Sequence, residues 1–192
     1  TFVLGVGLGG LIILNLLEKT ELPIEGILLF SPMLELKRDY KGCKNKLISN
    51  VGKISKDTRF KVGITPQDLT RNDEIIEETA NDGLMLKKVT YSWYNLINEK
   101  MKETMDHIRD IKPISALIMY GTNDKILETQ SINEMKDKLK SKEMYFKVWD
   151  GLYHEIHNEP ERDLVMRYVL SFLNNSVNTM GFIVNEEEIE DI

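Results

Sequence analysis

The stretch TFVLGVGLGG, residues 1–10, decides the fold of this chain, and LIILNLLEK, residues 11–19, follows it directly. Apolar residues run into a cluster of glycines, which predicts a buried strand over Thr1–Val6 that enters a tight turn. The apolar residues after the turn predict a helix over Leu8–Lys19 packed on a sheet. The same glycines fit two motifs. One is G-x-G-x-x-G over residues 5–10, and the other is G-x-S-x-G with Gly7 at the serine position.

Further along the chain, apolar runs closed by turn residues predict more buried strands. EGILLF, residues 25–30, ends at Ser31-Pro32, and ISALIMY, residues 114–120, leads into the turn at residues 121–124. Continuous apolar runs of this length are typical of parallel strands buried on both faces. A last strand is predicted over Met144–Trp149, and helices over Thr129–Lys140 and Pro160–Leu173. This alternation predicts an α/β fold with a parallel sheet.

The middle of the chain differs in character from both ends. Residues 33–112 are polar with scattered apolar positions and no strong strand, and helices are predicted over Asn72–Ala80 and Gly83–Glu99. An insertion of about 80 residues is too long for a plain crossover, so a helical cap over one end of the sheet is predicted. The predicted organisation is therefore a core of residues 1–32 and 113–175, a cap of residues 33–112 and an acidic tail of residues 176–192.

Bulk properties exclude several classes of protein. The 192 residues suit one domain, and the net charge of −6 with scattered lysines argues against a nucleic-acid partner. The single Cys43 excludes an internal disulfide framework and a cysteine-rich zinc site, and its polar surroundings predict a solvated thiol. Apolar runs stay below the roughly 18 residues that a membrane span needs.

The start of the chain carries its own expectation. The first residue is Thr1, inside a predicted strand, so we expect that the natural N-terminus lies further upstream. A location in the cytoplasm or at a membrane surface is expected. The sheet would expose an apolar edge beside Thr1–Val6, and such edges invite pairing. We therefore expect a longer native chain or pairing with another chain as an oligomer.

The G-x-G-x-x-G pattern is the motif of dinucleotide-binding proteins, and it has one requirement that this sequence does not meet. It needs an acidic residue at the end of the next strand, roughly 20 residues on, to hold a ribose. The next strand ends at Ser31-Pro32, and the nearest acid after it is Glu35. The dinucleotide-binding oxidoreductase is kept as an alternative, and it predicts that NAD(P) stabilises the protein.

The G-x-S-x-G pattern is the motif of a nucleophile elbow, and the sequence meets the other requirements of this motif. A nucleophile on a strand-to-helix turn should be followed in the chain by an acid and then by a histidine, each after a later strand. Asp124 stands just after ISALIMY, and His154 stands in the loop after Met144–Trp149. The spacing leaves room for the cap between the first two positions and for one helix–strand unit between the last two.

Three segments make the resemblance specific. GVGLGG, GTNDKI and GLYHEIHNEPER resemble the GHSMGG elbow, the GxxD loop and the G-x-x-H-E histidine loop of the monoacylglycerol lipase and lysophospholipase branch of the α/β-hydrolases. LTRNDEIIEETANDGL is also similar to a cap segment of that family. The resemblance spans about Phe2 to Asn174 and implies an α/β-hydrolase fold with a helical cap. It also implies that the family's first strands would precede Thr1.

The resemblance implies a role for each site residue. Asp124 would orient the imidazole of His154, His154 would act as the base, and the backbone N–H of Leu8 would stabilise an oxyanion. Gly7 occupies the nucleophile position without a side chain, and Val6 replaces the family's usual histidine. The implied function is hydrolysis of carboxylic esters of monoacyl lipids, impaired by the lost serine. The implied ligand is a monoacyl lipid or small ester, without a cofactor or metal, and the cap could contact a membrane peripherally.

An alternative function is binding without catalysis. A protein whose site lacks the serine could bind a lipid or a protein partner, and the glycine at position 7 favours this alternative. His107 and His157 are predicted to be surface residues. HEIHNE, residues 154–159, is not a zinc motif, because its histidines are three residues apart instead of the four that H-E-x-x-H requires.

Overall fold

A computed structural model describes residues 1–37 and 58–174, which form a parallel sheet covered by helices. In chain order the elements are β1 (Phe2–Val6), α1 (Leu8–Leu17), β2 (Gly26–Phe30), β3 (Arg59–Lys61), α2 (Pro66–Leu69), α3 (Asp73–Asn81), β4 (Lys88–Thr90), α4 (Tyr91–His107), β5 (Ser115–Gly121), α5 (Thr129–Lys138), β6 (Met144–Trp149) and α6 (Arg162–Leu173). Single 3₁₀ turns cover Ile108–Asp110 and Ile156–Asn158.

The central sheet has four strands in the order β1-β2-β5-β6, and all neighbours are parallel. Val6 pairs with Phe30, and Phe30 pairs with Met119, so the carboxyl ends of these strands lie together at one edge. The predicted α/β architecture with a parallel sheet is therefore confirmed. The loops that leave this edge are those that carry Gly7, Asp124 and His154, and ligands of open α/β sheets bind at such edges.

Burial on both faces of the sheet explains the continuous apolar strands. All five residues of β2 are buried. Leu29 belongs to a cluster with α1, α4 and α5 on one face, whereas Leu28 and Phe30 belong to a cluster with α6 on the other. Because successive side chains of a strand point to opposite faces, a strand with helices on both sides needs apolar residues at every position.

The segment between β2 and β5 contains two short strands that the sequence did not predict. β3 and β4 pair antiparallel, with Phe60 opposite Val89. The predicted helix over Gly83–Glu99 is therefore wrong in its first half: residues 88–90 are a strand, and the helix runs over Tyr91–His107. Thr90 ends the strand and caps this helix, because its hydroxyl accepts the N–H of Trp93 at 3.2 Å.

The other predicted helices shift by a few residues. The helix predicted over Asn72–Ala80 is Asp73–Asn81, because the Asn72 side chain accepts the N–H of Glu74 and caps it. The helix after β5 ends at Lys138, and the last helix begins at Arg162. Cys43 and the predicted tail of residues 176–192 lie outside the described residues.

The contact between β1 and α1 yields a stability prediction. A Cβ added at Gly5 would lie 2.7 Å from the backbone nitrogen of Gly10, so strand and helix leave no room there. A Cβ on Gly9, by contrast, would meet nothing within 4 Å. We expect Gly5→Ala to lower the free energy of unfolding by about 1–3 kcal/mol through overpacking. Urea unfolding measures this difference.

Gly9→Ala is the matched control for Gly5→Ala. It adds the same methyl group in open space near the start of a helix, where alanine is favoured over glycine by at most about 1 kcal/mol. The stability of Gly9→Ala should therefore equal or exceed that of the native chain. Equal losses in the two variants would contradict the close contact at Gly5.

Candidate active site

The turn between β1 and α1 places Gly7 at the carboxyl edge of the sheet. Gly7 has φ 51° and ψ −115°, a conformation that strains residues with a side chain. Backbone hydrogen bonds tie the turn to β2 and to the loop after it: the N–H of Gly7 donates to Phe30 O at 2.9 Å, and the N–H of Met33 donates to Gly7 O at 2.9 Å. Leu8 is the first residue of α1, so its N–H has no partner within the helix.

Asp124 lies in the loop after β5 and is completely buried. Its Oδ1 accepts the N–H groups of Ile126 and Leu127 at 2.8 and 2.9 Å, which closes the turn. Its Oδ2 lies 2.8 Å from Nδ1 of His154. The ammonium group of Lys37 donates to the backbone oxygen of Asp124. Asp124 therefore combines the turn role that aspartate often has with a direct contact to the histidine.

His154 lies in the loop after β6 and is buried, with 6% of its surface exposed. A carboxylate oxygen is an acceptor, so the contact assigns the donor role, and with it the proton, to Nδ1 of His154. The other ring nitrogen, Nε2, faces Gly7: a Cβ built on Gly7 would lie 3.0 Å from it. The structure thus brings Gly7, Asp124 and His154 together in the order that the sequence predicts. The imidazole thus contacts a carboxylate through Nδ1 and presents Nε2 to the residue at the turn, an arrangement that could serve a base beside a nucleophile.

Two residues that the sequence analysis missed hold the histidine loop in place. Glu159 is completely buried and accepts the N–H of Tyr153 at 3.0 Å and Nε of Arg71 at 2.7 Å. Arg71 and Glu159 are 88 residues apart in sequence, so no spacing rule links them. The only sequence signal was the acid itself, inside the segment HEIHNEPER.

His157 differs from its predicted surface position. Its ring lies 6.1 Å from the ring of Phe30, and its Nδ1 is buried without a hydrogen-bond partner among residues 1–37 and 58–174. His157 lies in the 3₁₀ turn Ile156–Asn158 and is half-buried. His107, by contrast, is exposed and contacts Asp110 at 2.9 Å, as expected of a surface residue.

The partial burial of His157 predicts how stability changes with pH. Burial lowers its pKa below the ordinary 6.5; the negative charge of Glu155 opposes this shift, and the nearby His154 adds to it. Below about pH 6.5 the unfolded chain takes up a proton here that the folded chain does not. The free energy of unfolding therefore decreases as the pH is lowered. Urea unfolding from about pH 7.5 to 5.5 should show a steeper decline for the native chain than for His157→Gln.

His107→Gln is the control for this pH dependence. Asp110 raises the pKa of the exposed His107, so this residue stabilises the folded state in acid and its removal should not flatten the decline. A native slope in His157→Gln would show that the acid sensitivity comes from other groups.

No group of three or more His, Cys, Asp or Glu within the described part of the chain could hold a metal ion. No helix of residues 1–37 and 58–174 is both long and apolar enough to cross a membrane.

A phospholipase and two monoacylglycerol lipases are similar to this chain in sequence or in structure. Phospholipase YtpA from Bacillus subtilis (strain 168) is 28% identical over 177 residues, which cover 92% of this chain and 68% of that protein. A monoacylglycerol lipase from Mycolicibacterium smegmatis is 35% identical over 57 residues, 30% of this chain and 20% of that protein. The crystal structure of Paleococcus ferrophilus monoacylglycerol lipase matches with a TM-score of 0.80 at 23% identity, covering 90% of this chain and 67% of that one.

The family itself follows from the extent of the match. The family described as serine aminopeptidase, S33 matches residues 1–161, which is most of the chain. The predicted resemblance to the monoacylglycerol lipase and lysophospholipase branch is confirmed by these relatives. The chain belongs to the serine aminopeptidase S33 family, and its fold is that of an α/β-hydrolase.

Proposed function

We propose that this chain is a monoacyl-lipid ester hydrolase by descent that has lost its nucleophile at Gly7. It keeps the acid and the base of the site but turns over esters poorly or not at all. One observation carries this proposal: Gly7 has the strained backbone of a nucleophile turn, and Nε2 of His154 faces it. A conformation that strains other residues is typical of functional sites.

The chemistry of acyl transfer defines what is present and what is missing. A serine hydroxyl attacks the ester carbonyl, a histidine takes its proton and passes it to the leaving alcohol, and an aspartate orients the imidazole. We assign the last two roles to His154 and Asp124, and one oxyanion contact to the N–H of Leu8. Gly7 offers no atom that could attack. Removal of the serine of a triad lowers kcat by about 10⁶.

The relatives support the proposed class of ligand. Two of the proteins with similar sequences are named as a phospholipase and a monoacylglycerol lipase, and both names refer to acyl esters of lipids. We propose a monoacyl lipid or another small ester as the ligand of the site. This choice requires no cofactor, because acyl transfer by a serine, histidine and aspartate uses side chains and backbone N–H groups alone.

We also propose that the predicted cap of residues 33–112 covers the carboxyl edge of the sheet with the part that precedes α4, because α4 itself packs on one face of the sheet. Three contacts support this arrangement. Leu36 forms a bridge with Leu127 and Lys37 contacts Asp124, so the start of the insertion lies on the acid loop. The backbone oxygen of Leu69 accepts the N–H of Glu155 at 2.8 Å, so a later part lies on the histidine loop. A cap in this position would exclude water from a bound ester.

Turnover of a fluorescent monoacyl ester by the native chain tests the proposed loss of activity. We expect a rate no more than about 10³–10⁴ above the reaction in water, which is what binding and the oxyanion contact leave without a triad. The His154→Ala variant should change this residual rate little. Robust turnover that His154→Ala abolishes would mean that another nucleophile is at work and would refute the proposal.

A second candidate function follows from Gly7 itself. Without a nucleophile, the site could bind a lipid, or the cap a protein partner, and this binding would be the function. Native mass spectrometry of the protein purified under mild conditions should then detect a co-purified lipid or partner. Recovery of the bare chain alone would count against this candidate and leave a silenced hydrolase as the better account.

A further inference from the structure

The Glu159 carboxylate is the most completely enclosed charged group near His154 that the proposed chemistry does not use. Its side chain has no accessible surface. It accepts three hydrogen bonds: from the N–H of Tyr153 at 3.0 Å, from the N–H of Arg71 at 3.3 Å and from Nε of Arg71 at 2.7 Å. A buried carboxylate is unfavourable unless it is paired in this way, and apolar residues of similar size often stabilise a protein as well. Stability alone therefore does not explain its presence.

The bonds of Glu159 fix the backbone beside His154. Tyr153, whose N–H donates to Glu159, immediately precedes the histidine. Glu155, which follows it, donates its N–H to the backbone oxygen of Leu69. The peptides on both sides of His154 are thus tied, directly or through Glu159, to residues 69–71. Thr70 adds a third link, because its hydroxyl donates to the backbone oxygen of Asn158 at 2.8 Å.

The position of the imidazole depends on these links. Its Nδ1 lies 2.8 Å from Asp124, and its Nε2 lies 3.0 Å from the place where a Cβ of residue 7 would stand. Both contacts tolerate little movement, and a displacement of about 1 Å at a reacting group can lower a rate 10²-fold. A loop held only by apolar packing could slide, whereas hydrogen bonds to a charged pair have defined directions.

We propose that Glu159 and Arg71 are positioning residues for His154. Glu159 holds the peptide before the histidine, and Arg71 anchors Glu159 to the segment that follows α2. The geometry of the base therefore depends on the segment that we propose as part of the cap. This inference rests on the proposed function insofar as His154 is the base of the site, but the placement of the ring can be measured without any catalysis.

Nuclear magnetic resonance of the native chain provides the first test. The proton between Nδ1 of His154 and Asp124 should give a downfield signal that reports the contact, and the His154→Gln variant, which lacks this proton, assigns it. The Glu159→Leu variant replaces the carboxylate with an apolar side chain of similar size and leaves Arg71 its contact with Glu161. We expect this variant to fold and its downfield signal to shift or disappear. The matched control Glu161→Gln changes only the exposed partner of Arg71 and should keep the native signal.

Kinetics in a Gly7→Ser background provide the second test. Glu159→Leu and Arg71→Met should each lower kcat about 10- to 100-fold, whereas KM should change by less than about threefold, because the base is displaced and the ligand contacts are not. Arg71→Lys should recover part of the loss. Glu161→Gln should leave both constants unchanged.

The two tests separate this inference from the proposed function. If Gly7→Ser is inactive but Glu159→Leu removes the downfield signal, the positioning role stands and the proposed reaction fails. If Gly7→Ser is active and Glu159→Leu changes neither the signal nor kcat, the positioning role is overturned and the proposed function stands. A loss of stability alone, with signal and kcat unchanged, would make the pair purely structural.

Discussion

Replacing Gly7 with serine should convert the native chain into an ester hydrolase that a fluorophosphonate probe labels. The new hydroxyl would lie beside Nε2 of His154, whose Nδ1 is held by Asp124 at 2.8 Å. We expect turnover of a monoacyl ester to rise at least about 10³-fold over the native chain, short of the roughly 10⁶ that separates a full triad from one without serine. The labelled residue can be identified by mass spectrometry.

Local geometry explains why the recovery should be incomplete. A Cβ at residue 7 would lie 3.0 Å from Nε2, so the imidazole must move back by a few tenths of an ångström. The backbone at φ 51° would also strain the serine, at a cost of about 1–3 kcal/mol in stability. The Gly7→Ala variant is the matched control, because it carries the same Cβ and strain without a hydroxyl. It should lose stability as Gly7→Ser does, without labelling or turnover.

The outcome for Gly7→Ser discriminates between the two candidate functions. Labelling that disappears in Gly7→Ser with His154→Gln would mean that the acid, the base and the oxyanion contact are competent and that only the nucleophile is lost. A folded Gly7→Ser variant that stays unlabelled would mean that decay extends beyond residue 7. Binding of a lipid or partner would then be the better account of the chain.

Asp124 should respond very differently to alanine and to asparagine. Asp124→Ala removes the acceptor of two buried N–H groups and the partner of His154. Unsatisfied buried groups cost about 1–3 kcal/mol each, so we expect a loss of at least about 3 kcal/mol in the free energy of unfolding. Asp124→Asn keeps an oxygen for the two N–H groups and should lose less than about 1.5 kcal/mol. Urea unfolding measures both.

The activity of Asp124→Asn should be low even though most of its stability is kept. In a Gly7→Ser background, Asp124→Asn should lower kcat by about 10⁴, because an amide in this position favours the wrong tautomer of the histidine even where the geometry is kept. Asp150→Asn is the control: this exposed carboxylate accepts only from Thr122 among the described side chains and should affect neither property. A stable Asp124→Asn variant with full kcat would reduce Asp124 to a turn residue.

Several features of the site were predictable because they depend on local pattern and on one general rule of α/β sheets. Apolar runs indicate the strands, and the residue after each strand reaches the carboxyl edge where ligands bind. Asp124 and His154 were selected by this rule and by their order after Gly7. The glycine cluster also predicted the turn at Gly7, since glycine is the residue that adopts a positive φ without strain.

Other features of the fold depend on partners that are distant in the chain. A strand of three residues such as Lys88–Thr90 has too little local pattern to predict, and it exists because Arg59–Lys61 pairs with it. The same holds for His157, which was predicted to be exposed and is instead packed against Phe30. Pairing and burial of this kind override local propensity.

The sequence by itself determined the α/β order of the elements, the strand-to-helix turn at Gly7 and the placement of Asp124 and His154 after later strands, because each follows from periodicity or from residue type. Only the tertiary structure decided the 2.8 Å contact of Asp124 with His154, the direction of Nε2 toward Gly7 and the pairing of Arg71 with the buried Glu159. These contacts join residues 30 to 147 positions apart, and their free energies arise only when burial removes the competing hydrogen bonds to water.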